Sequence, residues 1–426
     1  MNVLMVTNTF TPQVGGVANS VASFAAEYRR QGHRVLVVAP RFRGAPPGEK
    51  DIIRVPAIQR FNGSDFSLRL PVPGFLFPAL DRFRPDVVHA HHPYLLGDTA
   101  LRIAAARDAP LVFTHHSMYE RLTGYVPGDS PALQRFVVEL STGYANLCDS
   151  VIAPSDSLAA ILRRRGVSAP IAVIPTGVDR RRFAAGDGAR FRAAAGIPPD
   201  AFVVGSIGRL SPEKNLRFLA EAVCAFLAAR EGARFLVAGV GPSETDLLDI
   251  VARLGMSGRV FFAGILRGAR LADAYRAMDV FAFASRCETQ GMVLAEALAA
   301  GVPAVALDAP GVRETLIDGR NGILLPRESV SAFRDALERI ASLGPSARRA
   351  LGDEAARSAE RFALDACAAK ALRLYESLRK AARRPKKTRG SLWTSARRLA
   401  GREWKLWANR AHAAGAAMAG AGSRGL

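Results

Sequence analysis

The chain has 426 residues, is 49% hydrophobic and carries 58 Lys and Arg against 38 Asp and Glu, a formal net charge of +20. That length and apolar content support buried cores in about two domains and exclude a disordered or fibrous chain. Four widely separated cysteines (Cys148, Cys224, Cys287, Cys367), with no C-x-x-C spacing, argue against a disulfide framework or a zinc site and fit a reducing cytosol.

The N-terminus, MNVLMVTNTF, has no basic leader region and passes from an apolar strand into a polar loop, so it is not read as a signal peptide. No run of about 18 apolar residues occurs, and no membrane span is expected. VLMVT reads as a strand, Thr9–Val17 as a glycine-containing loop, and Ala18–Gln31 as a helix closed by Gly32, with RVLVVAP next, a βαβ unit. Gly15 and Gly16 in that loop allow backbone to approach a ligand, although glycines in such a turn often mean only a turn. Short β-branched runs at Asp86–His89, Leu111–Thr114, Ser150–Ala153 and Ile171–Ile174, separated by helical segments, argue for a parallel sheet. His89, His91 and His92 cluster at a strand end, but no nearby acid or cysteine completes a metal set; cleft lining or structural hydrogen bonding is preferred. The polar stretch Arg181–Asp200, broken by GDG and IPPD, reads as the interdomain connection.

The strand pattern restarts at FVVGSIGRL and continues through RFLVAGVG, RVFFAG, DVFAFAS and PAVAL. Arg209 and Lys214, in GSIGRLSPEKN, follow the first of these strands. Two cations at this spacing can bracket a diphosphate, although spacing alone favours two ordinary surface charges. Gly239 and Gly241 end the next strand. Further on, Asp279–Ser285 is a buried strand, Arg286–Gln290 a polar loop, and Gly291–Ala300 a helix stopped by Gly301, with Pro303 and the strand Ala304–Leu307 beyond. Ligands of such a βαβ unit lie outside the carboxyl ends of its strands. The first N–H groups of the helix, from Gly291, Met292 and Val293, lack internal partners and suit a phosphate. Glu296, on the same helix, can accept both hydroxyls of a ribose, and Glu288, in the loop, can accept from a hexose hydroxyl. A solvated loop acid is the plainer reading of Glu288. For Glu296 the apolar neighbours Val293, Leu294, Ala297 and Ala300 argue against an exposed helix face. Cys287 reads as a small filler, and Leu364–Lys380 as a long helix.

The segment ETQGMVLAEALAAGVP, with Glu288 and Glu296 separated by seven residues, resembles the signature of retaining glycosyltransferases of family GT4. Within that family the chain is most similar to bacterial diacylglycerol glycosyltransferases, over Met1 to Arg379. The resemblance implies an α/β GT-B fold with two Rossmann-like domains facing a cleft: residues 1–178 on the acceptor side, 179–363 binding the nucleotide sugar, and a crossover helix at 364–380. It also implies that Arg209 and Lys214, in the segment matching G-R-x-x-x-E-K-N, neutralise the departing diphosphate. By the same match Gly15 and Gly16 lie beside the distal phosphate and acceptor, and Gly264 and Ile265 meet the base through backbone groups. His116, in Thr114–His116, contacts a hydroxyl of the donor sugar, with His115 as the neighbouring alternative. No D-x-D occurs in the chain, so no metal or cofactor is expected, with Arg209, Lys214 and the helix N-terminus standing in for the ion. The expected donor is a UDP- or GDP-sugar. In lipid-modifying relatives the parts corresponding to Phe61–Phe83 and to THHSMYERLTGYVPG meet the acceptor, so a membrane lipid such as diacylglycerol is the first choice.

The charge is concentrated in the tail. Arg379–Leu426 holds 13 Lys or Arg and one acid, Glu403, leaving +8 for the rest of the chain. Trp393, Trp404 and Trp407 all fall there, and with Ala396 and Ala400 they form one helical stripe, from which Arg398, Arg402 and Lys405 point away. This predicts a basic amphipathic tail, residues 381–426, lying on an anionic membrane surface behind a polybasic linker at Arg383–Arg389. The protein would then be peripheral on the inner face of the cytoplasmic membrane. No element that reads nucleic acid is found, so no such partner is expected. The competing functions are transfer to a soluble or polysaccharide acceptor, a nucleotide-sugar epimerase of the same fold, and a basic non-enzymatic adaptor.

Overall fold

The computed structural model describes residues 1–13, 15–42, 44–46, 48–58, 68–69, 76–125, 128–382 and 392–419. Contacts divide the chain into two units: Met1–Gly177 together with Asp365–Leu426, and Val178–Leu364.

The first unit contains β1 (Asn2–Val6), α1 (Gly16–Arg30), β2 (Arg34–Pro40), β3 (Ile52–Val55) and a small antiparallel pair, β4 (Ala57–Ile58) and β5 (Leu68–Arg69). After α2 (Phe77–Phe83) come β6 (Val87–Ala90), α3 (Leu96–Arg107), β7 (Leu111–Thr114), α4 (Pro131–Asn146), β8 (Ser150–Ala153), α5 (Asp156–Arg164) and β9 (Ile171–Val173). Seven parallel strands run in the order β3-β2-β1-β6-β7-β8-β9. Their β-branched residues are buried because helices cover both faces. The strand order reverses between β1 and β6, and the loops after β1, β6 and β7 carry the glycine and histidine candidates.

In the second unit α6 (Arg180–Ala184), α7 (Gly188–Ala194), β10 (Phe202–Ile207), α8 (Leu216–Ala229), β11 (Ala233–Ala238), α9 (Glu244–Arg253) and β12 (Val260–Phe262) lead to α10 (Gly268–Arg276). The unit continues through β13 (Val280–Phe283), α11 (Met292–Ala299), β14 (Ala304–Leu307), β15 (Gly322–Leu325), α12 (Val330–Ala341) and α13 (Pro345–Ser358). Its six strands, all parallel, are ordered β12-β11-β10-β13-β14-β15, so the reversal falls between β10 and β13. That is where an open α/β sheet receives a ligand.

Two expectations are corrected. The polar stretch Arg181–Asp200 is not a loose connection but α6 and α7, capped by Asp179 and Asp187, whose side chains accept from the N–H groups of Arg182 and Arg190. Phe183 and Phe191, buried in the core, hold it there. Phe61–Phe83 was expected to lack the depth of a core helix, yet Leu80 and Phe83 on α2 are buried. Phe61–Ser67 and Leu70–Phe75 lie outside the described residues.

The tail also differs. After α14 (Leu364–Ala382), α15 (Leu392–Met418) packs against α3 and α4 of the first unit. Leu406 and Ala413 are buried, Arg402 donates to the Leu147 carbonyl (2.7 Å), and Asn409 donates to the Leu140 carbonyl (3.1 Å). These four residues share one helix face. A Cβ at Gly143 of α4 would stand 1.6 Å from Asn409 Oδ1, so glycine leaves the space that the Asn409 side chain fills. Ion pairs Arg102–Glu403 and Arg410–Asp98 flank the contact. On the opposite side Trp404 and Trp407 remain 76% and 63% exposed. Trp404 and Trp407 therefore face outward from a helix already docked on protein, rather than from a free one. The linker Arg383–Arg389 and the Trp393 side chain lie outside the described residues.

Candidate functional site

Most of the predicted residues fall in the second unit, around the carboxyl ends of β10 and β13. Beyond β10 the chain passes exposed Arg209 and makes a tight turn, Pro212–Lys214. That turn is stitched to the loop after β13: Ser285 Oγ donates to the Glu213 carbonyl (3.3 Å), as does the Arg286 N–H (3.3 Å). The stitching brings Lys214 Nζ to 2.5 Å from Glu288 Oε1 and 5.9 Å from the centroid of the Phe283 ring. Burial disfavours the ammonium, but the Glu288 carboxylate outweighs it and holds the Lys214 pKa above its ordinary value. Lys214 is thus a fixed, half-buried cation.

The loop ends at Gly291, whose φ of +73° is in the left-handed region, and α11 starts at the next residue. Met292 and Val293, half-buried in its first turn, present N–H groups that an α-helix cannot satisfy internally. Thr315 Oγ1 braces the preceding segment by donating to the Gln290 carbonyl (2.9 Å). Leu294, Ala295, Ala297 and Leu298 drive α11 into the core, so Glu296 cannot be an ordinary surface charge. Its Oε2 accepts from the Tyr275 hydroxyl of α10 at 2.7 Å. Burial pushes the Glu296 pKa up to about 7, against the opposing effects of the Tyr275 hydrogen bond and the Arg182 charge. Gly264, after β12, receives the Gly239 N–H on its carbonyl (2.8 Å), and Ile265 beside it is exposed.

The remaining candidates lie in the first unit. Gly15 is extended and exposed at the entry to α1, Gly16 is that helix's first residue, and a Cβ at Gly15 would meet nothing within 4 Å. Packing within the unit therefore does not require glycine at Gly15. His116, just beyond β7, shares a 2.9 Å hydrogen bond between its Nε2 and His91 Nδ1, with the two rings stacked. Burial pushes the His116 pKa down to about 3, so at neutral pH it is an uncharged hydrogen-bonding group. His115 points into the core, packed on Phe113 and Tyr119. The histidine cluster takes part in structural hydrogen bonds. His89 bridges Thr114 Oγ1 (2.7 Å) and the Tyr375 hydroxyl of α14 (2.7 Å), and His92 Nδ1 accepts from the Asn8 N–H (3.0 Å).

Sequence reasoning missed Tyr275, Tyr375 and the Ser285–Glu213 stitching. In LADAYRAMD and LRLYESL each tyrosine stands at ordinary core spacing. Only the partner across space distinguishes it.

The chain matches the family models "Glycosyltransferase Family 4" over residues 14–182 and "Glycosyl transferases group 1" over residues 201–342. It is 33% identical over 339 residues to a GDP-mannose-dependent alpha-mannosyltransferase of Mycobacterium tuberculosis, covering 76% of this chain and 84% of the relative. It is 29% identical over 332 residues to an alpha-monoglucosyldiacylglycerol synthase of Streptococcus pneumoniae, covering 76% of this chain and 75% of the relative. Among solved structures, sucrose-phosphate synthase from Thermosynechococcus elongatus aligns with a TM-score of 0.72 at 21% identity, over 89% of this chain and all of that one. Anabaena HepE in complex with UDP and glucose aligns with a TM-score of 0.69 at 22% identity, over 88% of this chain and all of that one. These structural likenesses bear on the fold.

Proposed function

The chain belongs to glycosyltransferase family 4 and has its GT-B type of fold, and from that membership we propose that it moves a hexose from a nucleoside-diphosphate sugar to a hydroxyl of a membrane lipid, with retention at the anomeric carbon. The observation that carries the reading is the Lys214–Glu288 pair, held at the reversal of strand order beside the first turn of α11. Lys214, Arg209 and the N–H groups of Gly291, Met292 and Val293 receive the diphosphate. They count most as negative charge develops on the leaving oxygen. Glu296 accepts the ribose hydroxyls, Gly264 and Ile265 border the base, and Glu288 orients the hexose while fixing Lys214. His116 serves a sugar hydroxyl as a neutral group, and Gly15 and Gly16 give backbone access near the distal phosphate. The bond from C1 to the diphosphate oxygen breaks, a bond from C1 to the acceptor oxygen forms on the same face, and the acceptor's proton passes to the departing phosphate. No metal or cofactor is assigned a part in this scheme.

A lipid acceptor is supported by similarity to proteins named as diacylglycerol glucosyl-transferring enzymes and by the outward tryptophans of α15. We place an anionic membrane surface against residues 381–426, with Trp404 and Trp407 at headgroup depth. Among the described residues no helix is long and apolar enough to cross a membrane, so attachment is peripheral in this proposal. The second reading is a GDP-mannose donor with another acceptor, favoured by the higher identity to mannosyltransferases. Incubating the protein with UDP- and GDP-sugars and either total lipid extract or a water-soluble cell extract, then identifying products by mass spectrometry, decides between them. A glycosylated lipid is the expected product. Transfer confined to water-soluble acceptors would overturn the lipid assignment.

A further inference from the structure

The Glu296 carboxylate does not stand alone on α11. Tyr275 approaches from α10, its side chain is fully buried, and its hydroxyl lies 2.7 Å from Glu296 Oε2. The Tyr275 ring is itself fixed, packed edge-on against Phe183 of α6 (centroids 5.4 Å apart) and tilted against Phe281 of β13 (5.8 Å). Burial drives its phenol well above the ordinary tyrosine pKa, so it acts as a donor at every working pH. A carboxylate with one oxygen already bound by a fixed donor has lost its freedom to rotate. Oε1 and a remaining lone pair of Oε2 stay available as acceptors. A ribose offers two neighbouring hydroxyls, and such a prepared edge can accept both.

We propose that Tyr275 is a positioning residue that sets the Glu296 carboxylate for the 2′- and 3′-hydroxyls of the donor's ribose, so that the enzyme's preference for ribonucleotides over deoxyribonucleotides depends on a side chain that does not touch the nucleotide. This rests on the ribose role given to Glu296 above. The same helix pair is tied at a second point, where Arg276 Nη1 donates to the Ala300 carbonyl at the end of α11 (2.9 Å). Removing the Tyr275 hydroxyl therefore leaves the α10–α11 contact in place and unfixes only the carboxylate. The charged group that acts on Glu296 from the neighbouring α6 is Arg182, which this substitution does not alter.

The test is calorimetric binding of UDP, GDP and their 2′-deoxy analogues to wild type, Tyr275→Phe, Phe183→Leu and Glu296→Ala. Tyr275→Phe should melt as a folded protein, bind its preferred ribonucleotide about tenfold more weakly, and lose most of the ribo-to-deoxy preference. Its affinity-versus-pH midpoint should also move upward, because the phenol's hydrogen bond holds the Glu296 pKa down. Phe183→Leu, which loosens packing on the ring but keeps the hydroxyl and the Phe281 contact, should lower the preference by less than Tyr275→Phe does. The proposal is overturned if Tyr275→Phe keeps the wild-type preference while Glu296→Ala loses it, or if Phe183→Leu has as large an effect as Tyr275→Phe. A wild-type preference in Glu296→Ala would instead remove the ribose assignment itself, and with it the reason to invoke Tyr275.

Discussion

Lys214 Nζ lies 2.5 Å from Glu288 Oε1, a cation and an acid that stand 74 positions apart in the chain and are joined by two adjacent strand ends. Each side chain fixes the other. Neither charge is free to act independently.

That coupling predicts non-additive mutants. Lys214→Ala should lower kcat/KM strongly, and Glu288→Ala should do so as well, partly by releasing Lys214. The double mutant should fall short of the product of the two losses by about 0.5–3 kcal/mol, the range found for residues in direct contact. Kinetics on all four proteins measure this term. A coupling of zero would show that the pair is not a unit in catalysis.

The ribose role proposed for Glu296 predicts that donor binding depends on pH. Its pKa, raised to about 7, means that the accepting carboxylate is lost as pH falls through neutrality. Nucleotide affinity should therefore rise between pH 6 and 8, and in Glu296→Gln it should be nearly flat. Stability of the free protein should move the other way. The folded pKa lies above the ordinary 4.5, so this group's contribution is complete below about 4.5 and is lost as pH rises through about 7. Calorimetric titrations and thermal melts across that window check both signs.

The membrane assignment is best tested at single residues. Deleting α15 would uncover the faces of α3 and α4 that hold Leu406 and Ala413, and would leave Asp98 and Arg102 without their partners, confounding membrane binding with stability. Trp404→Ala with Trp407→Ala removes two exposed groups and spares the buried face of α15, losing there only the packing of Arg410 over the Trp407 ring (5.3 Å). Sedimentation with anionic vesicles should drop several-fold, with nucleotide affinity unchanged. Salt should weaken the wild-type interaction only in part, because 1 M salt shortens the screening length to about 3 Å but leaves tryptophan burial intact. Equal sedimentation of the double mutant would rule out this face.

The Arg165–Glu120 pair is a structural counterpart. Both side chains are about 95% buried, with two hydrogen bonds of 2.7 and 3.3 Å. Glu120→Gln leaves the guanidinium buried without its counter-charge and should destabilise the first unit by about 3–5 kcal/mol. Urea unfolding measures the loss. Nucleotide binding to the folded fraction should persist, since the groups assigned to the base, the ribose and most of the diphosphate belong to the other unit.

Much of this was legible in the sequence because it is local. Short β-branched runs defined the sheets, Gly291 marked the helix start, and Val293, Leu294, Ala297 and Ala300 announced that Glu296 could not be an ordinary surface charge. What could not be read depends on partners distant in sequence. Tyr275 looks like any core aromatic until Glu296 is placed beside it. The docking of α15 was hidden for a different reason. Its inward face, Arg402, Leu406, Asn409 and Ala413, contains a single large apolar residue, and its ion pairs reach back 301 and 312 positions. By hydrophobicity alone the tryptophan side looks like the buried one, and in the structure it is the exposed one.

The first unit is discontinuous, built from Met1–Gly177 and completed by Asp365–Leu426, and this reverses the usual order in which a chain matures on the ribosome. The second unit, Val178–Leu364, has all its residues as soon as it is synthesised. The sheet that begins at Asn2 must wait for Cys367, Ala368, Ala371, Leu372 and Tyr375 to close one face, and for α15 to cover α3 and α4. The second unit, to which nucleotide binding is assigned in the proposal, is therefore the first that can finish folding. A released chain that ends just after Leu364 should already bind nucleotide while its N-terminal half remains open to proteases.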